Sequence, residues 1–428
     1  MTEPSSVGGL NLGERAVAVL RTDDRGAYTV PSPRLYPYQW LWDSAFIALG
    51  WSAVDEKRAW LELETLLAAQ WEDGMLPHIV FHEVTPEYFP GPGFWGASGP
   101  LPGTGITQPP VLATVMRRLV ETCRDKQLAE RKARLLAPRI LAWHRWFYRA
   151  RDPGGSGLVA ILHPWESGMD NSPLWDEALS RVPPAPLPEL RRDTRVVAAE
   201  QRPHLSEYER YLSLVATFRE LDYDADRLHD ASPFRVADVL MNAVLHRANR
   251  DLKWLLKRTG VDDDGEVDDW LQRTARGLQT LWDEEDGFFY PRDLISGEPI
   301  RIRTFEGFMP LYAGAASSEQ AQILTRSLAG WLERVPFGLA CVDPDSPVFE
   351  PRRYWRGPVW INVNWMLRDG LLQYGAGEQA QRLQRDSFKL AEESGFFEYF
   401  DPLTGDGLGG DSFAWTAALL LDWLAEWP

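Results

Sequence analysis

The sequence predicts an all-α protein folded as an (α/α)6 barrel, a closed toroid of paired helices with irregular, lid-like excursions. Segments with apolar residues at helical spacing fill most of the 428 residues, and the strand-like runs between them are short. Turns of the type polar–Gly–apolar–apolar follow several helices at unequal intervals. A solenoid would keep a fixed period, so this spacing favours a closed ring. We expect one barrel domain over residues 1–428.

Eleven segments are predicted as helices, in chain order. They are 42–54, 56–71, 110–124, 126–150, 206–221, 233–258, 265–282, 318–334, 358–374, 376–393 and 411–426. Four glycines are expected to end helices in left-handed caps, namely Gly74, Gly157, Gly287 and Gly395. Two excursions, 73–107 and 151–204, are rich in Gly, Pro, aromatic or charged residues. Loops of this length are usually lids or binding segments, with surface decoration as the alternative.

Composition excludes several classes of partner. Acidic residues outnumber basic ones, 62 to 45, for a net charge of -17, which argues against nucleic acid or an anionic membrane. An anionic small substrate would need a local cationic clamp. Cys123 and Cys341 imply neither a disulfide nor a metal site, and residues 262–265 lack the ligand spacing of a calcium loop. We therefore predict a cytoplasmic protein with no metal, no cofactor and no membrane span, and leave a homo-oligomer open.

Two motifs combine carboxylates with aromatic residues. The stretch HPWESGMDNSPLWD, residues 163–176, offers Glu166 and Asp170 as candidate acids, because a carboxyl beside tryptophan has a raised pKa. The stretch GFFEYFDPLTGDGLGGDSFAWTAALL, residues 395–420, sets Glu398 among aromatics. A β-hairpin with Glu398 facing solvent is the plain alternative. Two such carboxylates from distant segments are the components of glycoside hydrolysis.

Two further motifs place tryptophan and polar residues before a helix. They are YPYQWLWDSAFIALGW, residues 36–51, and RRYWRGPVWINVNWML, residues 352–367. Twenty tryptophans in the chain suggest flat faces for stacking on sugars, although large helical cores also use tryptophan as filler. Asp43 also fits a helix N-terminus, and Pro358 fits the start of a helix.

Together, YPYQWLWDSAF, HPWESGMDNSP, YWRGPVWINVNW and FFEYFDPLTGDGLGGDSFAWTAAL resemble glycoside hydrolase family 63, over residues 36 to 418. Within it, the chain is most similar to the compact bacterial hydrolases of mannosylglycerate and glucosylglycerate. The resemblance implies an inverting mechanism with Asp170 as general acid and Glu398 as general base. Glu166 then falls outside catalysis. The residues expected to hold the sugar are Tyr36, Trp40, Asp43, Gln108, Trp355 and Trp360, and Trp42 and Tyr354 lie in the same motifs.

The expected substrate is a small sugar acid, with 2-O-α-mannosylglycerate preferred over glucosylglycerate. Its carboxylate needs a cationic partner, and arginine pairs with carboxylate in a bidentate way. Arg202 and Arg356 are the candidates, with a structural ion pair as the alternative for each. Tyr88 is a candidate hydroxyl donor to the same carboxylate, and His78, like Gln108, flanks the first excursion.

Three rival functions stay open at this point. One is an α-glucosidase or trehalase-like hydrolase of a small disaccharide. Another is a sugar epimerase or isomerase, which is disfavoured because such enzymes use histidines as proton carriers and the chain has only seven. The third is a non-catalytic sugar-binding protein, which would need the aromatic residues but no opposed pair of carboxylates.

Overall fold

The structure is a computed structural model that describes residues 11–185 and 191–426, and most of these residues are helical. In this part of the chain the α-helices are α1 (Leu12–Asp23), α2 (Leu41–Val54), α3 (Glu56–Leu67), α4 (Pro92–Trp95), α5 (Leu112–Thr122), α6 (Lys126–Ala150), α7 (Asp176–Ser180), α8 (Leu205–Glu220), α9 (Ala225–Ala231), α10 (Val239–Thr259), α11 (Glu266–Gln279), α12 (Met309–Ala313), α13 (Ser318–Arg334), α14 (Ile361–Gln373), α15 (Gly377–Ser394) and α16 (Ala414–Glu426).

Six helices form a closed inner ring. In the order α2, α5, α10, α12, α14 and α16, each helix packs against the next, and α16 packs back against α2. Six others, α1, α3, α6, α11, α13 and α15, pack outside this ring, and along the chain outer and inner helices alternate. This arrangement is an (α/α)6 barrel and confirms the predicted fold class.

The sequence explains which helices lie inside. Helix α2 is buried continuously from Leu41 to Trp51, because its neighbours on the ring and the outer helices cover every face. Helix α6 instead buries one stripe that includes Leu136, Ile140 and Trp143, spaced by three or four residues, and exposes its charged side. An apolar stripe on an otherwise polar helix is the pattern of a helix on the outside of a core.

Short antiparallel strand pairs lie between the helices of the described residues. They are β1 (Gln39–Trp40) with β2 (Ile79–Val80), β3 (Val236–Ala237) with β6 (Arg292–Asp293), β4 (Trp282–Asp283) with β5 (Phe288–Phe289), and β7 (Tyr399–Phe400) with β8 (Gly407–Leu408). Strands β1 and β3 lead into the N-termini of α2 and α10, and the β7–β8 hairpin leads into α16. These pairs therefore fix the loops at the N-terminal ends of inner helices.

All eleven predicted helices are present, and 126–150 and 318–334 have the predicted bounds. Five helices were not predicted, namely α1, α4, α7, α9 and α12, the last of which belongs to the inner ring. Two predicted helix starts were also wrong. Pro358 does not start α14, because Val359 pairs with both Ala340 and Phe400 and so keeps the chain extended as far as Trp360. The predicted segment 233–258 begins at Val239, after β3, with Asp238 capping the helix.

The predicted glycine caps were also wrong. All four glycines have positive φ, as expected of polar–Gly turns. However, α3 ends at Leu67 and α11 ends at Gln279, well before Gly74 and Gly287. Only Gly395 occupies a C-cap, and its ψ of -169° is not left-handed helical. The left-handed caps are instead at glycines such as Gly260 and Gly314.

Candidate active site

A pocket opens at the N-terminal end of the inner ring. It contains about 940 Å³ of space that atoms do not fill, including its mouth. Inner helices contribute Trp42 and Asp43 at the start of α2 and Trp415 at the start of α16. Both predicted excursions also line it, the first through residues such as His78 and the second through residues such as Asp170. The excursions are therefore walls of the pocket.

The segment before Asp170 is held by its own hydrogen bonds. Residues Pro164–Ser167 form a 3-10 turn, which the Nδ1 atom of His163 caps by accepting a hydrogen bond from the Trp165 N–H at 3.0 Å. The Ser167 hydroxyl donates to the Pro164 carbonyl at 2.6 Å and accepts from the Met169 N–H at 3.0 Å. Such side-chain bonds fix an irregular loop, so Asp170 leaves it in a defined direction.

Glu166 is structural, as expected from the resemblance. It forms a buried ion pair of 2.6 Å with Arg151 and accepts a hydrogen bond from the Leu162 N–H at 2.7 Å. It does not line the pocket, whereas Asp170 does. Of the two candidates in HPWESGMDNSPLWD, only Asp170 can reach a bound ligand.

Asp170 has the electrostatics of a proton donor. Its pKa is raised to about 6, chiefly because the carboxyl is buried; the positive charge of Arg202 opposes this rise, and nearby Glu398 adds to it. The backbone carbonyl of Asp170 accepts a hydrogen bond from the Tyr211 hydroxyl, which fixes the main chain at this residue. A carboxyl that keeps its proton well above the usual range for aspartate is suited to general acid catalysis.

Gly168 allows this loop to approach Trp42. Its φ is +73°, and a Cβ at this position would lie 2.5 Å from Cζ2 of the Trp42 ring. The ring cannot move cheaply, since it is buried and contacts Phe46, Trp355 and Trp415. Close packing of the pocket wall therefore requires glycine here.

Gly168→Ala should lower the free energy of unfolding by about 2–4 kcal/mol, because it adds overpacking against Trp42 to the strain of a left-handed residue. Gly155→Ala is a matched control. Gly155 has a φ of +68°, but its added Cβ would meet only Arg273 Nη1 at 3.5 Å, an ordinary contact. Denaturant unfolding of both variants measures the difference, and equal losses would show that backbone strain alone matters.

Glu398 directly precedes β7 and is buried at the pocket. Its Oε1 atom accepts a hydrogen bond from the Tyr36 hydroxyl at 2.8 Å, and its Oε2 atom accepts one from the Gly410 N–H at 2.9 Å. Burial raises the pKa of Glu398, while Arg202 and these hydrogen bonds lower it. The alternative of a solvent-facing Glu398 is wrong, although the predicted hairpin is present.

Arg202 connects the second excursion to this carboxylate. Its Nη1 atom donates to the Tyr36 hydroxyl at 2.9 Å and lies 3.7 Å from Glu398 Oε1. Its Nε atom donates to Asp193 at 3.0 Å, and the guanidinium lies 4.3 Å from the centre of the Tyr354 ring. Tyr354 itself has a φ of +38°, a strained value often found at functional sites.

Polar side chains at the base of the pocket are suited to sugar hydroxyls. The carboxylate of Asp43 lies at the N-terminus of α2, and burial and Glu398 raise its pKa well above the usual range. Gln108 accepts a hydrogen bond from the Trp42 N–H at 3.3 Å, which leaves its amide N–H₂ for a ligand. His78 Nδ1 pairs with the Thr104 hydroxyl at 2.7 Å, and burial keeps the pKa of the ring well below its usual value.

The predicted aromatic residues form one side of the pocket, among them Trp40, Trp42 and Tyr354. Trp355 and Trp360 stack on each other with centroids 3.8 Å apart and planes within 3°. Aromatic stacks of this kind fix ring orientation and exclude water. The structure thus brings together all but one of the predicted site residues.

The exception is Arg356, which does not line the pocket. Its Nη1 and Nη2 atoms make a bidentate pair with Asp176 at 2.9 and 2.8 Å, and its Nε atom lies 3.0 Å from Glu350. The structural ion pair is therefore the correct interpretation, because these carboxylates already occupy the guanidinium.

Sequence reasoning missed several pocket residues. They are Arg34, Phe89, Trp95, Trp165, Arg192, Asp193, Tyr208, Phe413 and Trp415. Most lie in or beside the quoted motifs and excursions, but nothing in their spacing marks them. Asp193 could have been found only from its partner, since a buried arginine near a carboxylate base needs a second acid to hold it.

A helical toroid whose pocket sets the carboxyls of Asp170 and Glu398 among aromatic side chains has the architecture of a glycoside hydrolase. The chain belongs to glycoside hydrolase family 63, an inverting family, and residues 36–416 match the family model described as a mannosylglycerate hydrolase MGH1-like glycoside hydrolase domain.

Two bacterial relatives match this chain over nearly their whole length. The mannosylglycerate hydrolase of Thermus thermophilus is 54% identical over 413 residues, which are 96% of this chain and 99% of the relative. The glucosylglycerate hydrolase of Mycolicibacterium hassiacum is 36% identical over 438 residues, 96% of this chain and 97% of the relative. The crystal structure of a family 63 mannosylglycerate hydrolase from Thermus thermophilus, with Tris and D-glycerate, superposes with a TM-score of 0.94 at 54% identity, covering 97% of this chain and 100% of that one.

Among the residues that the structure describes, no helix combines the length and apolarity needed to cross a bilayer.

Proposed function

We propose that the protein hydrolyses 2-O-α-mannosylglycerate to mannose and glycerate with inversion at the anomeric carbon. The observation that carries the proposal is the pair of carboxyls in one pocket, the half-buried Asp170 with a pKa of about 6 and the buried Glu398 held by Tyr36 and Gly410. A sugar-binding protein would need the aromatic wall but no pair of carboxyls in the roles of acid and base.

The reaction uses the two carboxyls in different roles. Asp170 donates its proton to the glycosidic oxygen as the bond from that oxygen to the anomeric carbon breaks, and glycerate leaves with the proton. Glu398 takes a proton from a water that attacks the opposite face of the sugar. The buried aromatic wall around Trp355 and Trp360 excludes bulk water, which strengthens both electrostatic interactions.

The pH dependence follows from these roles. Asp170 must be protonated and Glu398 ionised, so kcat/KM should fall as pH rises through about 6, and fall again below the raised pKa of Glu398. On α-mannosyl fluoride, whose leaving group needs no proton, the limb near pH 6 should disappear. Initial rates between about pH 4 and 9 on both substrates measure this, and a limb near pH 6 that persists with the fluoride would contradict the role of Asp170.

Tyr88 and Arg202 are the proposed partners of the glycerate carboxylate. Arg202 is the candidate arginine that reaches the pocket, although Asp193 and Tyr36 already contact it. The Tyr88 ring packs edge-on against Tyr38 and Trp40. Its hydroxyl has no hydrogen-bond partner within residues 11–185 and 191–426, so it is available to a ligand.

Tyr88→Phe should raise KM for mannosylglycerate about tenfold, the cost of one hydrogen bond to a charged group, with kcat nearly unchanged. The same variant should treat α-mannosyl fluoride like the wild type, since that substrate has no carboxylate. Tyr38→Phe is the control, because the Tyr38 hydroxyl accepts from the Thr85 N–H at 3.1 Å and does not line the pocket. An equal rise in KM on both substrates would show that Tyr88 does not recognise the glycerate.

Glucosylglycerate is the second candidate substrate, since the Mycolicibacterium relative is named for it. Proton NMR of the purified protein with mannosylglycerate, glucosylglycerate, trehalose and maltose distinguishes the candidates and shows which anomer is released first. We expect β-mannose from mannosylglycerate to dominate. Fast release of an α-anomer would contradict inversion, and turnover of trehalose or maltose alone would contradict the glycerate.

A cytoplasmic location, a single catalytic domain and a homo-oligomer are not needed for this proposal and stay as predictions from the sequence.

A further inference from the structure

We propose that Gln201 is a positioning residue for the general base, and that the turn at residues 199–202 acts as a brace for the loop that orients Glu398. This inference rests on the proposed role of Glu398. Gln201 does not line the pocket and so does not contact substrate itself.

The brace contacts the β7–β8 hairpin at two points. The Oε1 atom of the Gln201 side chain accepts a hydrogen bond from the Gly409 N–H at 3.0 Å. The backbone carbonyl of Gln201 accepts one from the Tyr399 hydroxyl at 2.6 Å. Tyr399 opens β7 and Gly409 directly follows β8, so one residue of the second excursion holds both ends of the hairpin.

The contact at Gly409 is next to the bond that orients the base. Gly410 donates its N–H to Glu398 Oε2 and accepts the Glu398 N–H at its carbonyl, at 2.9 and 2.8 Å. Gly409 has a φ of +73°, and an added Cβ there would lie 2.4 Å from Glu398 Oε2. Position 409 must therefore be glycine. The pair Gly409–Gly410 has many accessible backbone conformations unless a contact from outside the loop selects one. Gln201 supplies that contact.

The brace is itself anchored, as a positioning element must be. Arg353 donates from Nη1 to the Arg202 carbonyl at 2.9 Å and lies 3.5 Å from the Ala199 carbonyl. Beyond Gln201, Arg202 reaches Tyr36 and Glu398. Consecutive residues therefore act on Glu398 from two sides, Gln201 through the glycine loop and Arg202 through its charge.

Gln201→Met tests the inference, because methionine has a similar volume and lacks the carbonyl acceptor. We expect kcat to fall roughly 10- to 100-fold, with KM changed less than about threefold, as for a misplaced catalytic group. The acidic limb of the pH profile should move up by about half a unit or more, since a misaligned Gly410 N–H no longer stabilises the ionised carboxylate. The substitution alters none of the titratable groups around Glu398, which are Tyr36, Asp43, Asp170, Arg202, Tyr354 and Tyr399.

Two further variants make the test decisive. Glu200→Gln changes an exposed neighbour in the same turn and should behave as the wild type. Tyr399→Phe removes the hydroxyl that donates to the Gln201 carbonyl and that also lies beside Arg202. It should shift the acidic limb in the same direction, and it provides the test if Gln201→Met fails to fold. The inference would be overturned if both Gln201→Met and Tyr399→Phe kept the kcat and the acidic limb of the pH profile of the wild type. It would also be overturned if kcat fell while the acidic limb stayed in place. Full activity of a Glu398→Ala variant would instead overturn the proposed function itself.

Discussion

Replacing Asp170 by asparagine should lower kcat on mannosylglycerate about 10³- to 10⁴-fold while leaving the fold intact, because the amide cannot supply the proton that the leaving oxygen needs. Asparagine has the same shape, and the loop bonds at His163 and Ser167 do not involve the Asp170 side chain. The loss should therefore be a loss of chemistry.

The substrate with a better leaving group tests this directly. On α-mannosyl fluoride the same variant should lose less than about tenfold, since fluoride leaves without protonation. Asp176→Asn is the matched control within the same motif, because Asp176 faces Arg356 and does not line the pocket. Steady-state kinetics on both substrates give the answer. Equal losses on the two substrates would mean that Asp170 binds the sugar and does not protonate the leaving group.

The fold was largely predictable because its pattern is local. Apolar spacing gave eleven of the helices, and irregular turn spacing gave the closed ring. Boundaries failed where tertiary pairing overrides local preference. Pro358 could start a helix, but the pairing of Val359 with Phe400, 41 positions later in the chain, keeps the segment extended. No local rule contains that contact.

The residue types and motifs of the site were predictable from the sequence, but the carboxylate with which each arginine pairs was not. Arg202 and Arg356 look alike in sequence, each an arginine beside aromatic residues. What separates them is which acids the fold brings near. Arg356 meets Asp176 and Glu350 outside the pocket, while Arg202 meets Asp193 and Glu398 at its wall. Such choices depend on three-dimensional neighbours, so motif reasoning left both candidates open.

The structure also gives the second excursion a clearer role than a lid. Its early part carries Asp170 on a loop that is fixed by its own hydrogen bonds. Its late part carries Arg202, which donates to the Tyr36 hydroxyl that in turn contacts Glu398. Acid and base therefore depend on the same excursion, although they lie 228 positions apart in sequence. This arrangement lets one segment set the geometry that an inverting pair requires.

Removal of the base is the other change with a large expected effect. Glu398→Ala should reduce hydrolysis by about 10³- to 10⁴-fold, because no other carboxylate contacts Tyr36 and Gly410 in the described residues and water alone is a poor nucleophile. The space left by the side chain lies 3.7 Å from Arg202 Nη1, measured to the lost Oε1 atom. A small anion should therefore be attracted into it.

Azide is a suitable anion, because its reaction in the Glu398→Ala variant gives a product that can be detected. It attacks the anomeric carbon without needing a base, while Asp170 still protonates the departing glycerate, so Glu398→Ala with azide should form β-mannosyl azide. Asp170→Asn should not be rescued, because its leaving group stays unprotonated. Proton NMR of the product identifies the anomer. An α-azide would place the nucleophile on the wrong face for inversion, and undiminished hydrolysis in Glu398→Ala would show that the base lies elsewhere in the pocket.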